Sequence, residues 1–305
     1  MKSINIKPHL PDAVLKQQDE LLKKTLDSKQ VQAFMKQYHV DEYFIQRHLG
    51  RFSMWIEETA LCEGCQGLFA CRQKQTGYIL NLTVEAAVLN NEILKCHYLK
   101  QDEKEKEHLS WFVHNDMSDA LINLSLDKFD LNDETYDYLK LVDSITNWIN
   151  KPSKMGLYLH GSPGSGKTYL LSALANACAK SEQTVAFVHV PTLISKAKTY
   201  FDSLSSMDTM ITSIKQADVA IFDDIGAESV TSWSRDELLF PILNYRLDFK
   251  KSTWFSSNET LETLKQHYAT DQKGKTTTTK AIRMIERISA LADPYLLVED
   301  NRRKR

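Results

Sequence analysis

Between residues 11 and 59 apolar side chains return every three or four positions. Phe44, His48, Phe52, Trp55 and Ile56 make one stripe of this kind. That period predicts helices that turn a single apolar face to a core. From Thr76 to Cys96 the spacing changes, and TGYILNLTVEAAVLNNEILKC carries short strand-like runs. KQDEKEKEH (100–108) then has no apolar residue, so it reads as a linker or an exposed helix. A domain boundary placed there gives a mainly helical domain at 1–108 and a second domain at 109–305.

Beyond that boundary the pattern is different. DETYDYLKLVDSITNWIN (133–150) predicts a helix stopped near Pro152. GLYLHG, TVAFVHV, DVAIFDD, STWFSSN and PYLLVED are short apolar runs separated by helical stretches. Five short buried strands alternating with helices predict an α/β fold with a five-stranded parallel sheet covered on both faces.

Composition narrows the class. A chain of 305 residues, 42 % hydrophobic and 26 % charged, is a soluble folded protein of about two domains. No run approaches the roughly 20 apolar residues of a membrane span. The opening MKSINIKPHLPDAVLKQQ has no secretory signal, so a cytoplasmic protein with no membrane partner is expected. Net charge is −2, so the chain as a whole does not read as a polyanion binder. The basic surplus gathers at the end, in Asn301-Arg302-Arg303-Lys304-Arg305, as a solvated tail or a phosphate contact.

GSPGSGKT (161–168) fits the phosphate-binding loop G-x-x-x-x-G-K-[ST] at every position, after a strand and before a helix. Gly161, Ser162, Pro163, Gly164, Ser165 and Gly166 would wrap the phosphates with backbone N–H groups. Lys167 would reach the outer phosphates of ATP, and Thr168 would coordinate Mg²⁺. VAIFDDIGAE (219–228) ends a buried strand in two carboxylates, where ligands of parallel sheets bind. Asp223 would hold Mg²⁺, and Asp224 would orient or deprotonate the attacking water. Asn258, with Ser256 or Ser257 as alternatives, would touch the γ-phosphate from STWFSSN. Arg283 and Arg287 stand i, i+4 on one helix face, as surface charges or as an arginine that serves a neighbouring subunit's ATP.

Five cysteines occur, and four of them precede residue 100. Cys62 and Cys65 form the C-x₂-C half of a zinc knuckle, and Cys71 and Cys96 complete a Cys₄ set, with His97 the alternative to Cys96. A redox dithiol is the rival, although this C-x-x-C opens no helix of a strand–helix–strand unit. Unpaired core cysteines are the other reading. Cys178, on the helix after the loop, reads as core packing.

GLYLHGSPGSGKT, IFDDIGAESVTSWSRDEL, STWFSSN and AIRMIERI, in this order, resemble the AAA+ core of the bacterial replicative-helicase loaders. The resemblance is strong over 111–305 and one of layout over 1–108. It implies an ATPase with Lys167, Thr168, Asp223 and Asp224 in the two ATP motifs, Asn258 as first sensor and Arg283 as arginine finger, Arg287 next in line. An aspartate at 224, where many AAA+ proteins have glutamate, implies slow, switch-like hydrolysis. The helical lid of AAA+ proteins would be reduced or absent. Implied partners are the hexameric replicative helicase, single-stranded DNA, other primosome proteins and further copies of the chain on the helicase ring. Related loaders also use a zinc-binding histidine just after a Gly-Tyr pair. Here Gly77-Tyr78 is followed by Ile79, which promotes Cys71. Lys196, Lys198 and Tyr200 are candidates for contacting DNA. Two competing functions are a transposition-helper ATPase on duplex DNA and an ATP-binding chaperone or module without meaningful turnover.

Overall fold

The computed structural model describes residues 12–132, 134–199, 204–270 and 276–298, which divide into two compact units between Lys104 and Glu105. The first unit opens with α1 (Asp12–Leu26), α2 (Lys29–Tyr38), α3 (Glu42–Arg47) and α4 (Leu49–Ala60). The Asp41 carboxylate starts α3 by accepting the Phe44 N–H at 2.9 Å. Of the predicted stripe, Phe52 and Trp55 are buried, together with Val31, Phe34 and Ile45, while Phe44, His48 and Ile56 are only partly covered. The strand-like runs form an antiparallel hairpin, β1 (Tyr78–Glu85) with β2 (Val88–Lys95). Its turn is Ala86-Ala87, with φ of 48° and 62°. Leu82 and Leu89 carry the hairpin onto the helical core, and Arg51 of α4 donates to the Leu89 carbonyl at 2.7 Å. The expected mainly helical domain therefore also contains a hairpin that completes its core. Residues 100–106 of the charge run lie in an exposed helix, α5 (His97–Lys106), which buries no residue, whereas His108 at the end of the run is buried.

The second unit is a parallel sheet. In chain order it contains β3 (Phe112–Asn115), α6 (Tyr136–Asn150), β4 (Met155–Gly161), α7 (Lys167–Lys180) and β5 (Val185–His189). Then come α8 (Val190–Thr199), α9 (Leu204–Gln216), β6 (Val219–Asp223), α10 (Phe240–Asp248) and β7 (Ser252–Ser257). Last are α11 (Leu261–Ala269), α12 (Thr278–Leu291) and β8 (Ala292–Leu297). The strand order is β3-β5-β6-β7-β4-β8, and every pairing is parallel. The sheet thus has six strands where five were expected. The sixth, β3, is only four residues long and half exposed, which is too short to leave a pattern in the sequence.

Alternate strand residues enter opposite cores. Ala186, Val188, Ala220, Phe222 and Phe255 face a layer that includes α8, α10, α11 and α12. Val185, Phe187, Val219, Ile221 and Trp254 face α6 and α7. Burial on both faces is the reason β6 and β7 read as unbroken buried runs.

Candidate nucleotide site

The site lies at the C-terminal edge of the sheet, where β4 and β6 are held apart by β7. The loop 162–166 turns sharply because Gly164 and Gly166 take φ of 84° and 98°, a region side chains disfavour. Gly166 caps α7, so the helix N-terminus opens on the loop.

Lys167 is 5 % exposed, and its ammonium donates to the Gly161 and Ser162 carbonyls and to Asn258 Oδ1, all at 3.0 Å. The first ATP motif and the polar end of β7 therefore meet although 91 residues separate them. Thr168 Oγ1 donates to the Asp223 carboxylate, at 2.9 and 3.2 Å to its two oxygens. Asp223 is buried, and burial pushes its carboxyl above the ordinary range; the neighbouring Asp224 charge adds to this, while bonds from Ser256 and Thr168 oppose it. An all-oxygen pair beside a phosphate loop, with one carboxylate short of positive charge, fits a hard divalent cation such as Mg²⁺. Asp224 stands half-exposed at the cleft wall with φ of 54°.

A cleft of about 620 Å³ runs along the loop, lined by Pro163, Gly164, Lys167, Thr168, Asp224 and Asn258, with Leu121 and Tyr169 also lining it. That volume suits a nucleotide. Tyr169 packs on Phe129 with ring centroids 4.8 Å apart. Leu121 is fixed through Asn176 of α7, whose amide donates to the Leu121 and Leu124 carbonyls at 2.8 and 2.9 Å.

The structure thus gathers Lys167, Thr168, Asp223, Asp224 and Asn258. It also adds a residue that sequence reasoning missed. His189, at the end of β5, places Nε2 3.8 Å from Asp224 Oδ2, with Nδ1 2.7 Å from Thr192 Oγ1. Only the adjacency of β5 and β6 brings it there.

Other candidates fall elsewhere. Arg283 is exposed on α12 and does not line the cleft. Arg287 is tied to α10, donating to Asn244 Oδ1 at 2.9 Å and lying 5.6 Å from the Phe240 ring centre. Lys196 is paired with Asp116 at 2.5 Å, so its charge is already partnered within the fold. Tyr200 and the basic residues 301–305 lie outside the described residues.

Cys62, Cys65, Cys71 and Cys96 are half-buried free thiols. Three accept N–H groups: Cys62 from Gln73 at 3.2 Å, and Cys71 and Cys96 from the Gly77 and Leu99 amides at 3.4 Å. Gly77 also accepts the Cys96 N–H at 2.7 Å, linking two of the four. As the side chains stand, no group of three His, Cys, Asp or Glu among the described residues could hold a metal ion. Cys178 is buried in the core against α6, and burial pushes its thiol up to about 12.

With this geometry in place, comparison with known proteins is direct. The family model for IstB-like ATP binding protein matches residues 83–292. The replicative helicase loader DnaI of Bacillus subtilis (strain 168) is 30 % identical over 294 residues, 94 % of each chain. The chain belongs to the DnaI family of helicase loaders. A crystal structure of DnaI superposes with a TM-score of 0.54 at 35 % identity, covering 65 % of this chain and 100 % of that one. The crystal structure of the DnaC helicase loader, 21 % identical with a TM-score of 0.50 over 59 % of this chain and 100 % of that one, shares the fold. The IstB-like match, residues 83–292, contains the loop 161–168, Asp223, Asp224 and Asn258. No described helix is long and apolar enough to cross a membrane.

Proposed function

We propose that this protein is an ATP-dependent AAA+ loader that binds the hexameric replicative helicase and delivers it onto single-stranded DNA. The relationship to DnaI over 94 % of both chains carries this reading. The IstB-like match alone would suit a transposition helper equally well. The reach of the DnaI match into the first unit favours the loader.

In this reading ATP lies along residues 161–168. Lys167 meets its outer phosphates, Thr168 and Asp223 hold Mg²⁺, Asp224 orients water, and Asn258 senses the γ-phosphate. The ion would supply charge neutralisation at the transferring phosphoryl group. Asp224, one methylene shorter than glutamate, suits slow, switch-like turnover. Arg283, exposed on α12, is the arginine offered to a neighbouring copy's ATP when copies assemble on the helicase ring. Other primosome proteins and a cytoplasmic setting belong to the same reading.

The first unit is proposed as the helicase-docking part, stapled by zinc on Cys62, Cys65, Cys71 and Cys96. The donor set supports the metal, since four cysteines share this unit and three of the sulfurs already accept N–H groups of the kind that orient zinc ligands. The sulfurs as placed do not converge, so ligation requires side-chain rotation. Less than about half an equivalent of zinc after gel filtration would remove this part of the reading.

Co-purification of the full-length chain with the replicative helicase tests the main proposal. Retention of the helicase is expected; its absence overturns the reading. Lys167→Ala is expected to lose nucleotide binding and helicase delivery together. Asp224→Asn is expected to bind nucleotide yet lose turnover about 100-fold or more. Delivery that survives Asp224→Asn would instead identify a module that uses ATP occupancy alone.

A further inference from the structure

We propose that Ser256 is a positioning residue of the ATP site, its one hydroxyl tying the Asp223 carboxylate to the backbone of Asp224. This rests on the ATPase reading of the same site and assigns a role that the motifs do not carry.

Ser256 is wholly buried on β7, the strand between the acid pair on β6 and the phosphate loop after β4. Its Oγ donates to Asp223 Oδ1 at 2.5 Å and accepts the Asp224 N–H at 2.9 Å. A hydroxyl has one proton and two lone pairs, and a carboxylate can only accept from it. The direction of both bonds is therefore fixed. The Ser256 carbonyl also accepts the Ile225 N–H at 2.9 Å. Three successive residues after the acid strand's last apolar position are thus registered on a single serine.

The arrangement matters because Asp224 holds a left-handed backbone, with φ of 54°. A non-glycine residue keeps such a conformation only where its surroundings over-determine it. Ser256 supplies the bond to its N–H, and in the same gesture orients the carboxylate proposed to hold Mg²⁺. The neighbouring hydroxyl is differently occupied. Ser257 Oγ donates to the Ile225 carbonyl at 2.6 Å and accepts the Glu259 N–H at 3.1 Å, touching neither carboxylate. Asn258 takes Lys167. Consecutive residues of β7 and its end thus serve the acid pair, the loop after it and the lysine.

The test compares Ser256→Ala, Ser256→Thr and Ser257→Ala in the full chain, with nucleotide binding and ATP turnover measured across a Mg²⁺ titration. Ser256→Ala is expected to need about tenfold more Mg²⁺ for half-maximal nucleotide binding, the size seen when a partner of a metal ligand is lost. Turnover at saturating Mg²⁺ should also fall while the KM for ATP stays near wild type. Ser256→Thr, which keeps the hydroxyl, should return the Mg²⁺ requirement toward wild type. Ser257→Ala should lower stability without moving that requirement. If Ser256→Ala fails to fold, Ser256→Cys fills the site with a poor donor and carries the same comparison. An unchanged Mg²⁺ requirement in folded Ser256→Ala, or an equal change in Ser257→Ala, overturns the assignment. Mg²⁺-dependent binding without turnover in the wild type would sink the ATPase reading and leave Ser256 to be judged on binding. Absence of Mg²⁺-dependent binding would take down both.

Discussion

Asp223 shows how one residue serves function at the expense of fold. Its carboxyl is pushed up first by burial, so ionisation penalises the folded state. For an acid whose folded value is raised, stability falls as pH rises from 3.8 through that value, and the penalty is complete above it. Asp223→Asn removes it and keeps an acceptor for Thr168 and Ser256. In Mg²⁺-free buffer at pH 7 the variant should melt no lower than wild type. Mg²⁺-dependent nucleotide binding should weaken about tenfold or more, measured by titration with a fluorescent ATP analogue. A clear drop in melting temperature would mean that the ionised carboxylate is a net stabiliser.

At the scale of elements, Arg246 of α10 joins parts of the second unit that share no motif. Wholly buried, it donates to the Ile214, Lys215 and Ala217 carbonyls at the end of α9, at 2.9, 3.2 and 2.9 Å. These include carbonyls that a helix leaves unpaired at its C-terminus, where a cation is also favoured by the helix dipole. The same guanidinium reaches the Ser252 carbonyl and Thr253 Oγ1 at the start of β7. Arg246→Ala should cost about 3 kcal/mol or more in chemical denaturation, because several buried carbonyls lose their donor together. Nothing in the local sequence marks this arginine, since its partners lie near residue 215 and near residue 252. The phosphate loop, by contrast, was legible because its glycines, lysine and threonine are contiguous and act through local backbone geometry. Asp223 and Asn258 were legible as strand ends. His189 was not, because its nearness to Asp224 depends on strand order, and β3 was too short to announce itself.

Across the second unit, carboxylates with depressed values join separate elements. Burial works against the charge of each, and hydrogen bonds from basic or hydroxyl partners outweigh it. Asp116 is held by His114 and Lys196, Asp218 by Thr184 and Lys251, and Asp236 by Arg235 and Lys280. For acids with depressed folded values, the stabilisation is present above the unfolded value of 3.8 and is lost as pH falls through the folded values. Stability should therefore hold from neutral pH to about 4 and then drop steeply, followed by circular dichroism during acid titration. Asp116→Asn should make that drop shallower. The two-unit division at Lys104–Glu105 is equally a property of the whole chain, and it falls within α5.

The central position of β7 has a consequence for how the protein is made. Both neighbours of this strand, β4 and β6, leave the ribosome before it does. Until β7 is synthesised, each must keep an edge open and resist pairing with the other, which would close the sheet in the wrong order. Asn258 and Ser256 arrive with that late strand, so a nascent chain cannot offer a finished nucleotide site until synthesis has passed them. The interval before insertion leaves the edges of β4 and β6 that face β7 unpaired, the condition under which partly made sheets aggregate.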